Sequence, residues 1–348
     1  MPIIVAYMDS FDHYLTADLT SKWNLFWGRG GDASPTISLT AGRKGYGLLL
    51  QSDGNVYKSI PDTQTLTTGF AFRCTQLSEN RILAYRDEGV VQLYLMLLSS
   101  GRLGVYRGDG VLLGLSTTVI APSKFYYIEF NATIAHTNGV IQLRIGGTSE
   151  LSLTFQNTQF SGVLRANIVG FGSFNALAHG EFHIDDIVIT NGALLGPQKI
   201  DVIRPNGGVL GYTANMSAVG GAGSLYQAIN DTTPDSDTSY IYSPSAQSGS
   251  GAFFEYENIA NVTGGAVHAI AVHTYVRKEY GNTRGFQTGL FPGTHDGAAG
   301  NLQYYDDPLY IETEYAYHSS LYDSNPGTSG TWTVGSVNAL KAGFKRYA

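Results

Sequence analysis

Along the first half of the chain apolar and polar residues alternate in short runs broken by turn residues, the period of strands half-buried in a sheet. The pattern predicts strands at Tyr46 to Leu50, Gly69 to Thr75, Arg81 to Tyr85, Val90 to Leu98, Leu103 to Arg107, Phe125 to Ala132, Val140 to Ile145 and Phe182 to Thr190. In FYYIEFNATI, Tyr126, Ile128 and Phe130 share the face expected to be buried, with Phe125, Tyr127, Glu129 and Asn131 opposite. SSGRLGV, RGDGVLL and HTNGVIQLRI each place a Gly just before an apolar run, the signature of a tight hairpin. MDSFDHY at residues 8 to 14 and FHIDDIVITNG at 182 to 192 bracket the series as opening and closing strands of one sandwich.

After the closing strand, NGALLGPQKIDVIRPNGG carries two prolines and several glycines, which marks a domain boundary. The division expected is 1–196 for a first sandwich and 197–348 for a second. Pro197 and Pro205 flank the alternating KIDVIR, so a short ordered connector packed on a sandwich is expected, holding the domains in a defined relation. Beyond it, strands are expected at Phe253 to Ile259, Val267 to Arg277, Thr288 to Pro292 and Leu309 to Tyr317. SLYQAIN at 224–230 and VGSVNALKAG at 334–343 read as short helices or turns, the second stopped by Gly343.

A chain of 348 residues is long for one sandwich and comfortable for two, and 43 Gly, 23 Tyr and 16 Phe fit an aromatic, turn-rich all-β protein. A net charge of −7 with 14% charged residues argues against nucleic acid or anionic membrane as partner. The lone Cys74 cannot form an internal disulfide and reads as a small core residue. IIVAYM reads as a first strand and not as a signal peptide, and no apolar run approaches the ~20 residues of a membrane span, so a soluble product made in a cytoplasm is expected.

MDSFDHY followed by Lys22 and Trp23, then FYYIEF, GVIQLRI and FHIDDIVI, resembles the concanavalin A-like and laminin G-like jelly rolls of bacteriophage virion proteins. GALLGPQKIDVIRPNGG, LYQAINDTTPDSDTSYIYS and TWTVGSVNALKAGFKR resemble the second domain that often follows this jelly roll in phage particles. The resemblance implies two tandem β-sandwich domains, the first concanavalin A-like, the second serving virion assembly or surface presentation. It implies a structural or adhesive component of a tailed-phage particle, on a tail appendage such as a tail fibre or decorating the capsid.

Several side-chain groups could carry chemistry. HGEFHIDD sets His179, Glu181 and His183 on one strand face at a spacing that could ligate a transition metal, against the plain reading of a polar strand face with an irregularity at Asp185 and Asp186. Asp231, Asp235 and Asp237 could offer oxygens to Ca²⁺, but their spacing is not that of an EF-hand and Asp and Pro are ordinary turn residues. Asp306, Asp307, Glu312 and Glu314 could be imagined as glycosidase acids, though Glu312 and Glu314 share a strand face by plain alternation. No G-x-S-x-G elbow is present, and GRGGD lacks the Lys of a phosphate loop.

Tyr304, Tyr305, Tyr310, Tyr315, Tyr317 and Tyr322 could stack on sugars or cover a subunit interface, with Tyr315 and Tyr317 sharing one face and part of the set in the core. The function expected is therefore non-enzymatic: a virion protein, made in the host cytoplasm, that forms homo-oligomers and docks on other particle proteins. The alternative is a carbohydrate-binding module for adhesion to host-surface glycans.

Overall fold

The computed structural model describes residues 3–26, 37–51, 54–172, 181–210, 216–220, 223–243, 251–259, 266–279, 285–291 and 304–347. The chain is all-β and divides into two compact units, Met1–Ile200 and Asp201–Ala348.

In the first unit two antiparallel sheets face each other. The first sheet runs, edge to edge, through Thr148–Gln156, Gly139–Ile145, Tyr126–Thr133, Thr65–Cys74, Phe182–Thr190, Tyr46–Leu50 and Ile37–Ala41. The second runs through Leu112–Val119, Arg102–Arg107, Val90–Leu97, Asn80–Asp87, Ala166–Gly172, Asn55–Thr63 and Asn24–Phe26. Alternation supplies the core: Phe70, Ile128, Phe130 and Ile187 from one sheet meet Leu83, Tyr85, Leu95, Val105 and Phe171 from the other, all excluded from water. Phe70 meets Phe171 edge to face at 5.2 Å, and the Tyr85 hydroxyl, stacked on Phe130, donates to the Phe130 carbonyl at 2.5 Å. Cys74 is buried on its strand, as expected.

The opening and closing strands pair directly, Val5 opposite Thr190 and Asp9 opposite Ile187. The closing strand changes partner along its length: Phe182 to Ile184 pair with Tyr46–Leu50, and Ile187 to Thr190 with Val5–Asp9. A bulge at Asp185 and Asp186 marks the change, with Asp186 in the left-handed region at φ 48. Arg43 reads this corner closely: its guanidinium pairs with Asp186 at 2.7 Å and its backbone N–H donates to Asp185 Oδ2 at 2.7 Å. Burial and the neighbouring Asp186 push the Asp185 carboxyl up to about 7.

Of MDSFDHY, expected as the opening strand, only Met8 and Asp9 lie in the strand Val5–Asp9; the rest turns around a buried carboxylate. Asp9 accepts hydrogen bonds from the Phe11 N–H at 2.8 Å, the Tyr7 and Tyr14 hydroxyls at 2.9 and 2.8 Å, and the Trp23 indole N–H at 2.9 Å. Lys22, also buried, and Lys58 lie over the Tyr14 and Tyr7 rings, at 5.5 and 4.5 Å. Burial lowers the Lys22 ammonium to about 8 against the opposing pull of Asp9. A folded-state pKa below the unfolded one means that between pH 8 and 10 the unfolded chain holds a proton the folded chain has released. Stability is therefore expected to rise with pH through this window, by up to roughly 1.4 kcal/mol per pH unit. Above it the raised Tyr7 and Tyr14 phenols act in the opposite sense. Urea titrations of the protein and of Lys22→Met at pH 7.5, 8.5 and 9.5 check this; equal slopes in the two would refute it.

Residues 191–200 cross the outer face of the first sheet. Asn131 Nδ2 donates to the Gly192 carbonyl at 3.0 Å, the Leu195 and Gly196 N–H groups both donate to Glu129 at 2.8 Å, and the Ile200 N–H donates to Asp186 at 2.7 Å. Residues 197–200, expected in the second half, thus belong to the first, and the polar face of FYYIEF is as buried as its apolar one. In the second unit the Arg204 N–H donates to Glu257 at 3.2 Å and Pro205 opens a strand.

The second unit holds a sheet of Pro205–Leu210, Gly251–Tyr256, Lys341–Tyr347, Gly285–Phe291 and Tyr304–Tyr305, with Leu309–Tyr310 added to Gly285–Phe291. A ribbon of Ile270–Val276 and Ala316–Tyr322 completes its core, Val272 packing with Leu290, Trp332, Val337, Leu340 and Ala342. Two expectations fail here. The strand expected over 309–317 is broken at 311–315, and the helix expected over 334–343 ends at Asn338, giving way to the strand Lys341–Tyr347. Thr333 caps that short helix through its Oγ1, but Leu340, just before the strand, and Ala342, within it, are both placed in the core by this change of structure. SLYQAIN contains a single 3₁₀ turn, Leu225–Ala228.

Candidate functional site

With the first sheet's outer face crossed by residues 191–200, the outer face of the second sheet is where the first unit presents aromatic side chains. Strand register aligns one row across it: Tyr57 opposite Gly170, Gly170 opposite Ala84, Ala84 opposite Tyr94, and Tyr94 opposite Tyr106. The residues between these on each strand, Val56, Phe171, Leu83, Leu93 and Val105, point into the core, so the row faces outward. Tyr94 and Tyr106 stack at 5.2 Å with 7° between planes, and the Arg81 guanidinium lies 4.1 Å from the Tyr94 ring centre. Gly104 makes room for the stack, since a Cβ there would stand 2.6 Å from the Tyr106 ring.

A bulge between Arg81 and Leu83 places Arg81 on this face. Arg81 and Arg86 are five residues apart, an odd number that would put them on opposite faces of a regular strand. Instead Arg81 pairs with Met96 and Arg86 with Ile168, both outward. Burial holds the Arg86 guanidinium below its usual range, with nearby Tyr57 raising it and Arg81 lowering it further. The Tyr106 phenol is pushed up by burial and by Tyr94 and Glu79 beside it. Among the described residues the Arg81 guanidinium has no carboxylate or carbonyl partner, and the hydroxyls of Tyr57, Tyr94 and Tyr106 make no hydrogen bond. Tyr94 is only 5% exposed, so the part-exposed rings of Tyr106 and Tyr57 are the ones that can stack on a ring-shaped ligand, with Arg81 placed to bond its polar edge. At one end of the sandwich a shallow depression of about 330 Å³ is lined by Arg107, Asp109, His136, Asn157, Gln159, Phe160 and Gly162.

The groups singled out by sequence lie elsewhere. His179 is outside the described residues; Glu181 Oε2 accepts from Gln51 at 2.9 Å, and His183 Nε2 lies 2.9 Å from Arg73 Nη2 and 3.3 Å from Glu181. A guanidinium is donor only, so His183 turns its lone pair toward Arg73. Burial, then Arg73, lowers the His183 imidazole. Asp231 and Asp235 both lie 2.9 Å from the Ser239 hydroxyl, whereas Asp237 is taken by Arg277 at 2.7 Å and the Tyr315 hydroxyl at 2.8 Å. Among the described residues no three His, Cys, Asp or Glu side chains gather as a metal site, and no helix is long and apolar enough to cross a membrane.

The tyrosine set divides. The side chains of Tyr304 and Tyr305 are outside the described set; Tyr310 is 63% exposed. Tyr315 stacks on Tyr275 at 4.7 Å and Tyr317 meets it tilted by 38° at 4.4 Å on the outer face of the ribbon. Tyr322, expected with them at an interface, packs instead against the core, because its register opposite Ile270 turns it inward. Glu312 and Glu314 fall in the break at 311–315, not on a strand face. Tyr57, Arg81, Arg86, Tyr94 and Tyr106 were not among the residues picked from sequence. The signal available was Tyr94 between Gln92 and Met96, and Tyr106 beside Gly104, on the faces alternation leaves outward.

No protein-family model and no curated protein sequence matches the chain. Among solved structures it is similar to a cellulose induced protein, Cip1, at 15% identity over 49% of this chain and 91% of that one, with a TM-score of 0.37. Domain 4 of AbnA, an extracellular arabinanase from Geobacillus stearothermophilus in complex with arabinotriose, is similar at 17% identity over 56% and 95%, with a TM-score of 0.40. The alginate lyase Aly36B is similar at 12% identity over 54% and 97%, with a TM-score of 0.37.

Proposed function

We propose that this chain is a non-catalytic, carbohydrate-binding β protein whose first unit holds sugar on the outer face of its second sheet. The observation that carries this reading is the Arg81–Tyr94–Tyr106 stack, set in register with Tyr57, whose polar ends have no hydrogen-bond partner among the described residues. Sugar rings pack their C–H faces on such rings while hydroxyls bond the phenols and guanidinium. The setting proposed is the surface of a tailed-phage particle, on the order of motifs from MDSFDHY to FHIDDIVI. There the exposed Tyr310 and the Tyr275, Tyr315 and Tyr317 ladder would serve contacts with further copies or other particle proteins.

A glycan array followed by calorimetry tests the binding reading. Saturable binding to a defined saccharide is expected, weakened about 10-fold by Tyr106→Ala, the loss of one half-exposed stacking ring. The variant should unfold at the same urea concentration as the parent to within the effect of one surface side chain. Binding that Tyr106→Ala leaves unchanged, or silence across a broad array, would remove the proposal.

A further inference from the structure

Arg81 is a half-buried guanidinium with no carboxylate at ion-pair distance among the described residues, the acid of this cluster, Glu79, standing beside Tyr106. The bulge between Arg81 and Leu83 turns Arg81 onto the face that already carries Arg86, and its guanidinium lies over the Tyr94 ring at 4.1 Å. Three other arginines of this unit have carboxylate partners: Arg107 forks onto Asp109, Arg165 pairs with Asp62 and Asp87, and Arg43 with Asp186, while Arg73 bonds His183 and Arg102 the Ser116 carbonyl. In a chain of net charge −7, a guanidinium on an aromatic face with no carboxylate at ion-pair distance among the described residues is a local feature that overall composition does not produce. The mutual influence of Arg81 and Arg86 shows in the lowering of Arg86 by Arg81, after that due to burial. A planar fork of donors held over a ring matches a carboxylate with two parallel hydrogen bonds, a geometry a lysine would not provide.

We infer that the saccharide bound on this face is an acidic one, and that Arg81, seated on Tyr94 by the adjacent bulge, receives a sugar carboxylate while Tyr106 stacks on the ring. This rests on the carbohydrate-binding reading above and specifies its ligand. Binding is then weakened by salt, because part of the attraction is between exposed charges.

The test uses the full chain with oligogalacturonate and oligosialate of defined length, the carboxyl-reduced form of each, and dextran sulfate. Calorimetry or biolayer interferometry should give at least one carboxylated probe bound 10-fold or more tightly than its reduced form. Arg81→Gln should erase that difference, lowering affinity for the carboxylated probe 10-fold or more and that for the reduced form by much less, and Arg81→Lys should recover only part. Circular dichroism and urea midpoints confirm that the variants are folded. Equal binding of carboxylated and reduced forms, sensitive to Tyr106→Ala but indifferent to Arg81→Gln, would overturn the acidic assignment and keep the sugar platform. Binding confined to dextran sulfate would overturn the carboxylate. A chain that binds none of the probes, with the wider array silent as well, overturns this inference together with the function beneath it.

Discussion

Asp9→Ala is expected to destabilise the first unit by about 3–5 kcal/mol, among the largest losses a single substitution in this chain can cause. Asp9 is 2% exposed and is the common acceptor for the Phe11 backbone, two tyrosine hydroxyls and the Trp23 indole. Alanine removes that acceptor and leaves all of these buried donors facing apolar surface, and it strips the buried Lys22 of its counter-charge. Asp9→Asn keeps the shape and one acceptor oxygen but turns an amide N–H₂ toward other donors, so it should recover only part of the loss. Urea unfolding, with hydrogen exchange read on Val5–Asp9 and Phe182–Thr190, measures both; a loss under 1 kcal/mol for the alanine variant would show that the network does not hold these strands.

In the second unit the corresponding large effect is expected at Trp332. Its ring is 2% exposed among Val272, Leu290, Val337, Leu340 and Ala342, and its indole N–H donates to the Tyr322 carbonyl at 3.0 Å. Trp332→Ala should cost about 3–5 kcal/mol by lost burial and the cavity left behind. Trp332→Phe should cost less, retaining most of the volume while orphaning one carbonyl. The loss should appear as faster hydrogen exchange in Gly285–Phe291 and Lys341–Tyr347, strands that share this core. Unchanged protection in those strands would contradict the packing described.

What was legible in the sequence was what neighbouring residues decide among themselves. Tyr46–Leu50 and Phe182–Thr190 form where alternation places them, and the SG and DG turns form because Gly101 and Gly110 take positive φ, at 79 and 91. Strands with weak contrast between their faces were not legible: Leu112–Val119 and Thr148–Gln156 are edge strands with few buried positions, so no period stands out. At the C-terminus a run with helical spacing yields a strand, since core contacts from Leu290 and Trp332 outweigh a weak local preference.

The candidate site divides the same way. Tyr94 and Tyr106 are strand aromatics whose outward direction follows from alternation alone, so a platform on this chain could be anticipated. That Arg81 joins it could not, because the bulge that reverses its face arises from pairing with a strand whose own register is set by other strands. Local pattern by itself determined an all-β chain, its turns, and the segments that open and close the first sandwich; that these two pair with each other came from the structure. Only the tertiary structure decided which outer face stays available: Glu129 and Asn131 read as solvent-facing until residues 191–200, some 60 positions further along, lay their backbone N–H and carbonyl groups against them. Short-range periodicity carries no record of which distant segment supplies those partners, because backbone hydrogen-bonding groups are the same at every residue.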